Sequence, residues 1–342
     1  LTSSTTGRPK LVNLTYRALE QSLLNARHYE AADHSTPRLH DRAQLCVLPL
    51  VHISGLWPGL KGVVDGRPTA LLERFDVTSF VEAVRRHHPS VCGLTPTAVR
   101  MLLDAQVRRD DLASLWAIRV GTAPTPPGLV DHFLAVYDIP LLTVYGATEF
   151  AGAVAGWTLR DFHQLWEAKW GSVGRVHPGV ELRVIDPQSG APLPCGEIGV
   201  LEARGAQLEG VGGATGDTWV RTTDLGSLDG DGFLFVTGRT DDVIVRGGFK
   251  VSPTKVAAVL QEHPAVREAG VTGVDDARLG AVPVAAVELA NGRQVPSEDE
   301  LLAYVRERLA PYEVPRSIRV VDALPRTPSM KVSQPALRLL FT

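Results

Sequence analysis

The sequence predicts an α/β chain. A large domain with a mostly parallel sheet and a β-rich subdomain is followed by a small α+β C-terminal domain. Three observations predict it. In the first half, short apolar runs alternate with stretches of helical apolar spacing, the pattern of strands covered by helices. After about Glu181, Gly, Pro and Asp become frequent, and the apolar runs read as antiparallel strands joined by turns. Beyond residues 238–242 lies a compact pattern of two capped helices and three strands. The domains are therefore drawn as 1–240 and 241–342.

The elements follow in order. Residues 44–50 read as a strand and 79–86 as a helix. The strand at 90–94 runs into Thr95-Pro96, an N-cap followed by a proline at the first helical position, which starts a helix to about Leu103. Residues 117–120 and 140–144 are further strands. Sheets of this kind place ligands at the carboxyl ends of their strands. Runs 181–185 and 198–203 look antiparallel. Residues 205–216 are glycine-rich with few large apolar side chains and read as a mobile loop. Ser252-Pro253 caps a helix to about Glu262. Strands follow at 268–274 and 282–289, then a Ser297/Glu300 capping box for a helix to Ala310, then a last strand at 317–321.

The 342 residues are 44% hydrophobic, enough for two cores. A net charge of −3 with scattered basic residues excludes a nucleic-acid footprint. No apolar run approaches a membrane span, and no partner membrane is expected. Cys46, Cys92 and Cys195 lack CxxC spacing and are expected to be buried thiols in a reducing cytoplasm. The chain opens without methionine in the middle of a motif, so it is expected to be a fragment of a longer polypeptide.

Chemistry-bearing segments recur along the chain. Thr2 to Thr6 all carry hydroxyls. Gly7 then permits a tight turn, and Lys10 follows. Ser3, Ser4, Thr5, Thr6, Gly7 and Lys10 could wrap a polyphosphate, although a Ser/Thr-rich linker has the same composition and no Walker A pattern is present. His52 follows an apolar run in Leu50-Val51-His52-Ile53-Ser54-Gly55; alone, such a histidine is more often structural. Gly121-Thr122-Ala123-Pro124 and Tyr145-Gly146-Ala147-Thr148-Glu149 each follow a strand. Trp219-Val220-Arg221-Thr222-Thr223-Asp224 ends on an aspartate that also suits a plain turn. Gly238-Arg239-Thr240-Asp241-Asp242 leads to Gly247-Gly248. Leu324-Pro325-Arg326-Thr327 leads to Met330-Lys331.

In this order the segments resemble the adenylate-forming superfamily of acyl-CoA synthetases, carrier-protein adenylation domains and luciferases, over nearly the whole chain. The resemblance implies that residues 3–10 form the phosphate loop, that His52 lines the acyl pocket and that Gly121, Ala123 and Pro124 pack on adenine. It implies stacking of adenine on Tyr145 above Gly146, an α-phosphate contact from Thr148, and Mg²⁺ binding by Glu149. Asp224 would hold the ribose and Arg239 the ribose or phosphate. Asp241 would be a hinge, Gly247 and Gly248 would approach pantetheine, and Lys331 would bridge the substrate carboxylate and α-phosphate. Ser4, Thr122, Thr223 and Met330 stand where the family has glycine, and Gln334 where it has arginine.

The implied activity is that of an AMP-forming acid–thiol ligase taking ATP, a carboxylic acid and CoA, with Mg²⁺; a homodimer is one arrangement open to it. No acidic residue lies between Pro49 and Leu60, which argues against an α-amino acid substrate. The small residues 151–156, with His52, Trp57 and Gly152, suggest an apolar pocket for an aryl or medium acyl group. A carrier protein loaded on its pantetheine and a non-catalytic scaffold keeping the fold are the alternatives.

Overall fold

The computed structural model describes residues 12–29, 39–290, 294–327 and 330–342. They form two compact units, residues 12–222 with Ser227–Phe235, and Thr223–Gly226 with Val236–Thr342.

The first unit opens with α1 (Tyr16–Asn25), β1 (Gln44–Cys46), α2 (Ile53–Val64), β2 (Thr69–Leu71), α3 (Val77–His87) and β3 (Val91–Leu94). It continues with α4 (Pro96–Asp104), β4 (Ala117–Val120), α5 (Pro127–Tyr137), β5 (Leu141–Ala147), β6 (Gly152–Gly156), α6 (Leu159–Leu165) and β7 (Arg175–Val176). These strands form one sheet in the order β2-β1-β3-β4-β5-β6-β7. β1 to β5 pair in parallel and β6 and β7 antiparallel. The parallel strands share one carboxyl edge, so the loops after β1, β4 and β5 emerge on the same side.

Local chemistry starts the helices. The side chains of Thr95, Asp76 and Thr15 accept the N–H of the third residue beyond them, each capping a helix. The core is apolar and close-packed, with Phe80, Leu102, Ile118, Phe133, Trp157 and Phe233 fully buried. β1 is three residues long rather than seven. Pro49 carries no N–H, its carbonyl receives the N–H of His52, and the chain turns into α2. Cys46 and Cys92 are buried, but Cys195, in the connection between the strands Val180–Ile185 and Gly199–Gly205, is exposed, correcting the expectation of three buried thiols.

β8 (Val180–Ile185), β9 (Gly199–Gly205), β10 (Val220–Leu228) and β11 (Leu234–Arg239) form a four-stranded sheet in the order β11-β10-β9-β8. Residues 205–216, expected as a mobile loop, hold two short 3-10 turns. The first is packed, with Gln207 and Leu208 both at 0% exposure.

The second unit carries β12 (Ile244–Arg246), β13 (Phe249–Val251), α7 (Pro253–Gln261), β14 (Val266–Asp276), β15 (Gly280–Leu289), α8 (Glu298–Arg306), β16 (Ile318–Val320) and α9 (Gln334–Leu339). β15 pairs with β14, β12 and β16. Val256, Leu260, Val271, Val287, Leu301 and Val305 make its core. α8 ends at Arg306, short of Ala310. The residue before Pro311 is biased away from helix, and the Ala310 N–H turns to the Glu313 carboxylate at 3.1 Å. Gly247 and Gly248 have φ of 57° and 87° and close the β12–β13 hairpin in two residues, the conformation of a type I′ turn.

Candidate active site

The segment with most local chemistry follows β5. The backbone runs up β5, makes a short turn over Thr148–Phe150 and returns antiparallel as β6. Gly146 has no room for a side chain: a Cβ there would lie 2.3 Å from the Gly152 carbonyl oxygen. The return itself uses unusual backbone, with Ala151 at φ 54° and Gly152 at φ 148°. Tyr145 is buried, its ring edge-on to Phe150 at 6.1 Å. Thr148 and Glu149 are half-exposed at the sheet's carboxyl edge.

The same turn reaches the expected acyl wall. A Cβ on Gly152 would lie 3.1 Å from the Trp57 indole, and Trp57 Nε1 donates to Ser22 Oγ at 3.0 Å. Trp57 and Gly152 therefore meet. His52 stands at the N-cap of α2. Gly55 is needed because a Cβ there would lie 2.3 Å from the Pro49 carbonyl oxygen, which explains the glycine three residues after the histidine.

The loop after β4 is strained. Thr122 has φ 72°, a left-handed conformation that costs a β-branched residue more than most, and its buried hydroxyl has no hydrogen-bond partner among the described residues. Gly121 is pressed against Val144, where a Cβ would come within 2.8 Å of Cγ2; Ala123 and Pro124 follow on the way to α5.

Three expected residues meet in the second unit. Arg239 donates from Nε and Nη2 to the two oxygens of Asp241 at 2.8 and 2.9 Å, and from Nη1 to Asp224 at 3.3 Å. Asp241 holds the guanidinium pKa above its usual value. Burial, then the Asp241 carboxylate, raises the pKa of Asp242 above the usual carboxylate range. Thr223, a departure from glycine, lies in extended β10 and needs no special backbone.

Lys331 sits on a hairpin in which Arg326 and Val332 bridge and the Thr327 N–H donates to the Lys331 carbonyl at 2.8 Å. Met330, where the family has glycine, takes φ 63°. Arg326 anchors the hairpin, donating to Glu268 at 2.8 Å and to Glu288 at 3.0 Å. Arg267 and the Leu324 N–H also serve Glu288, which is 1% exposed. Gly270 makes space beneath: a Cβ there would lie 3.2 Å from Val332 and 3.0 Å from Leu337.

Ser3, Ser4, Thr5, Thr6, Gly7 and Lys10 lie outside the described residues. Among the described residues no three His, Cys, Asp or Glu side chains cluster as metal ligands. Sequence reasoning missed Ser22, Asn25 and Gln207, which hold the turn and the indole from behind. Their partners are distant in sequence, and nothing local marks them.

The profile of the AMP-binding enzyme family matches residues 1–210, and that of the AMP-binding enzyme C-terminal domain matches residues 255–331. The chain belongs to the AMP-binding enzyme family. It is 36% identical over 351 residues to a 2-succinylbenzoate–CoA ligase of Geobacillus kaustophilus, covering 99% of this chain and 68% of that protein. It is 32% identical over 351 residues to 4-coumarate–CoA ligase 3 of Oryza sativa subsp. japonica, covering 98% of this chain but 62% of that protein. Among solved structures, the o-succinylbenzoate CoA synthetase of Bacillus subtilis superposes with a TM-score of 0.81 at 30% identity, covering 98% of this chain and 68% of that one. It has been captured with its acyl-adenylate intermediate and with ATP and a magnesium ion. The chain thus spans less than two thirds of the length of the rice ligase.

Proposed function

We propose that the protein activates an apolar aryl carboxylic acid with ATP and passes the acyl group to CoA. One observation carries the reading: the turn that presents Thr148 and Glu149 runs directly into the Gly152–Trp57 contact. Polar groups suited to an α-phosphate and an apolar wall suited to an acid thus lie on one short backbone turn. The relatives' names, 4-coumarate–CoA and 2-succinylbenzoate–CoA ligase, support an aryl acid.

A carboxylate oxygen attacks the α-phosphorus of ATP, the bond from that phosphorus to the bridging oxygen breaks, and pyrophosphate leaves. The product is an acyl-adenylate. The CoA thiol then attacks the acyl carbon, AMP departs with the electron pair, and the thiol proton is released. No side-chain nucleophile is needed; the protein aligns two anions and meets the developing charge with fixed donors. Lys331 is assigned to the carboxylate and α-phosphate, Thr148 to the α-phosphate, Tyr145 to adenine and Asp224 to the ribose. Asp241 is taken as the pivot of a small domain 241–342, and the Gly247–Gly248 turn as the face that meets pantetheine.

A single half-exposed carboxylate, Glu149, fits Mg²⁺, which keeps most of its waters and is held largely by substrate phosphates. When bound, the ion neutralises phosphate charge. Among the described residues no helix is long and apolar enough to cross a membrane. Burial pushes the Cys46 and Cys92 thiols up to about 11 and about 12, so both stay protonated at neutral pH.

The test is pyrophosphate release with Mg-ATP and a panel of aryl, medium-chain and amino acids, 4-coumarate and 2-succinylbenzoate among them, followed by offering CoA or a carrier protein. Release with aryl acids and thioester formation on CoA are expected. Release with amino acids alone, or transfer to the carrier protein alone, would overturn the substrate assignment, and no release with any acid would leave a scaffold.

A further inference from the structure

We propose that Gln207 is a positioning residue that sets the shape of the turn carrying Thr148 and Glu149 and of the adjoining acid pocket; the proposal rests on the function assigned above. Gln207 is fully buried, in a loop whose composition suggests mobility. Its amide nitrogen has two N–H groups. One donates to the Phe150 carbonyl at 3.0 Å and the other to the Ala153 carbonyl at 3.1 Å. Its amide oxygen accepts from Asn25 Nδ2 at 2.8 Å. That third bond fixes which end of the amide faces the turn, since the carbonyl oxygen could not serve two acceptors.

The two carbonyls bracket Ala151 and Gly152, the residues with φ of 54° and 148°. A non-glycine residue in the left-handed region holds its place when the surroundings over-determine it. Gln207 supplies that constraint from outside the turn. Upstream of Phe150 stand Thr148 and Glu149; within the bracket stands Gly152, against which the Trp57 indole packs. The indole is held by Ser22 and the amide by Asn25, both on α1 three residues apart and so on one face of the helix. One helix thereby fixes both the aromatic side of the pocket and the clamp on its opposite strand.

The proposal separates from ordinary core packing because it names what the amide protons do. Gln207→Met keeps the length and apolar volume and removes both donors. Gln207→Glu keeps the acceptor for Asn25 and offers at most one donor. We would measure three quantities on the full chain. They are the calorimetric affinity for the best acid of the panel without ATP or metal, the Mg²⁺ concentration for half-maximal pyrophosphate release, and the thermal midpoint. Gln207→Met is expected to weaken acid binding and raise the Mg²⁺ requirement, each by about 10- to 100-fold, the usual scale for a partner that orients a metal-binding side chain. Gln207→Glu, which has no donor when ionised and then sets a charge against two carbonyl oxygens, should shift both constants in the same direction. If Gln207→Met does not fold, the Gln207→Glu shift in the same two constants decides. A folded variant with both constants at wild-type values, whatever its thermal midpoint, overturns the clamp. A wild-type chain that releases no pyrophosphate with any acid overturns the functional reading and the clamp with it, so the two failures are distinct.

Discussion

Lys331 is carried by a hairpin of ordinary backbone hydrogen bonds, and its role can be tested apart from its fold. Lys331→Ala should lower adenylate formation by on the order of 10²–10³, the scale for one preorganised charge donor, while thioester formation from supplied acyl-adenylate persists. Unchanged ATP–pyrophosphate exchange would remove the lysine from the chemistry. Thr122 presents the opposite case. Its left-handed backbone and unpartnered buried hydroxyl both cost stability. Thr122→Gly should therefore raise stability by about 1–3 kcal/mol, which chemical denaturation would read as a higher midpoint at constant slope. A lower midpoint would mean that the hydroxyl has a partner worth more than the strain. The resemblance points to glycine at this position, but only the φ angle says why glycine suits it.

Between β5 and β6 a second constraint belongs to the paired strands themselves. Gly146 lets the return strand cross within 2.3 Å of where a Cβ would stand. Gly146→Ala should push the strands apart and destabilise the first unit by roughly 1–3 kcal/mol. It should also weaken pyrophosphate release by more than stability alone predicts, because Thr148 and Glu149 ride on the shifted strand; equal activity per folded molecule would contradict this. Elements of this kind were largely legible in the sequence. Thr95-Pro96 and Ser252-Pro253 are local caps and start their helices as expected. The strand at 117–120 is a short local run, apolar at Ala117, Ile118 and Val120. What could not be read depends on distant partners. Gln207 looks like part of a glycine-rich loop until Phe150, Ala153 and Asn25 surround it. The Gly247–Gly248 pair suggests a ligand approach from the sequence, and both residues also take the positive φ of a two-residue hairpin.

At the scale of the whole chain, the second unit joins its lysine hairpin to its core through buried charge. Burial alone would raise the Glu288 pKa, but the Leu324 N–H, Arg267 and Arg326 together outweigh it and hold the carboxyl below its ordinary range. A carboxyl depressed on folding contributes stability above its unfolded pKa and loses it as pH falls through the folded one. The second unit should therefore loosen on acidification below the usual carboxylate range, with the lysine hairpin released along with it. Glu288→Gln should cost about 1–3 kcal/mol at neutral pH, because Arg267 and Arg326 lose a charged acceptor while Arg326 keeps Glu268, and should flatten the acid limb of the stability profile. Far-UV circular dichroism against pH would show it, and an acid limb identical in the variant would place the pH dependence elsewhere.

The amide of Gln207 also acts as a ruler. Its two protons span one fixed stretch of backbone, from the Phe150 carbonyl to the Ala153 carbonyl. An insertion or deletion of a single residue inside that stretch would leave one proton facing nothing and shift β6 by a step that turns its pocket-facing side chains to the other side of the sheet. The wall of this pocket can therefore diversify by exchanging one side chain for another, while its length is held constant by a glutamine more than fifty residues downstream.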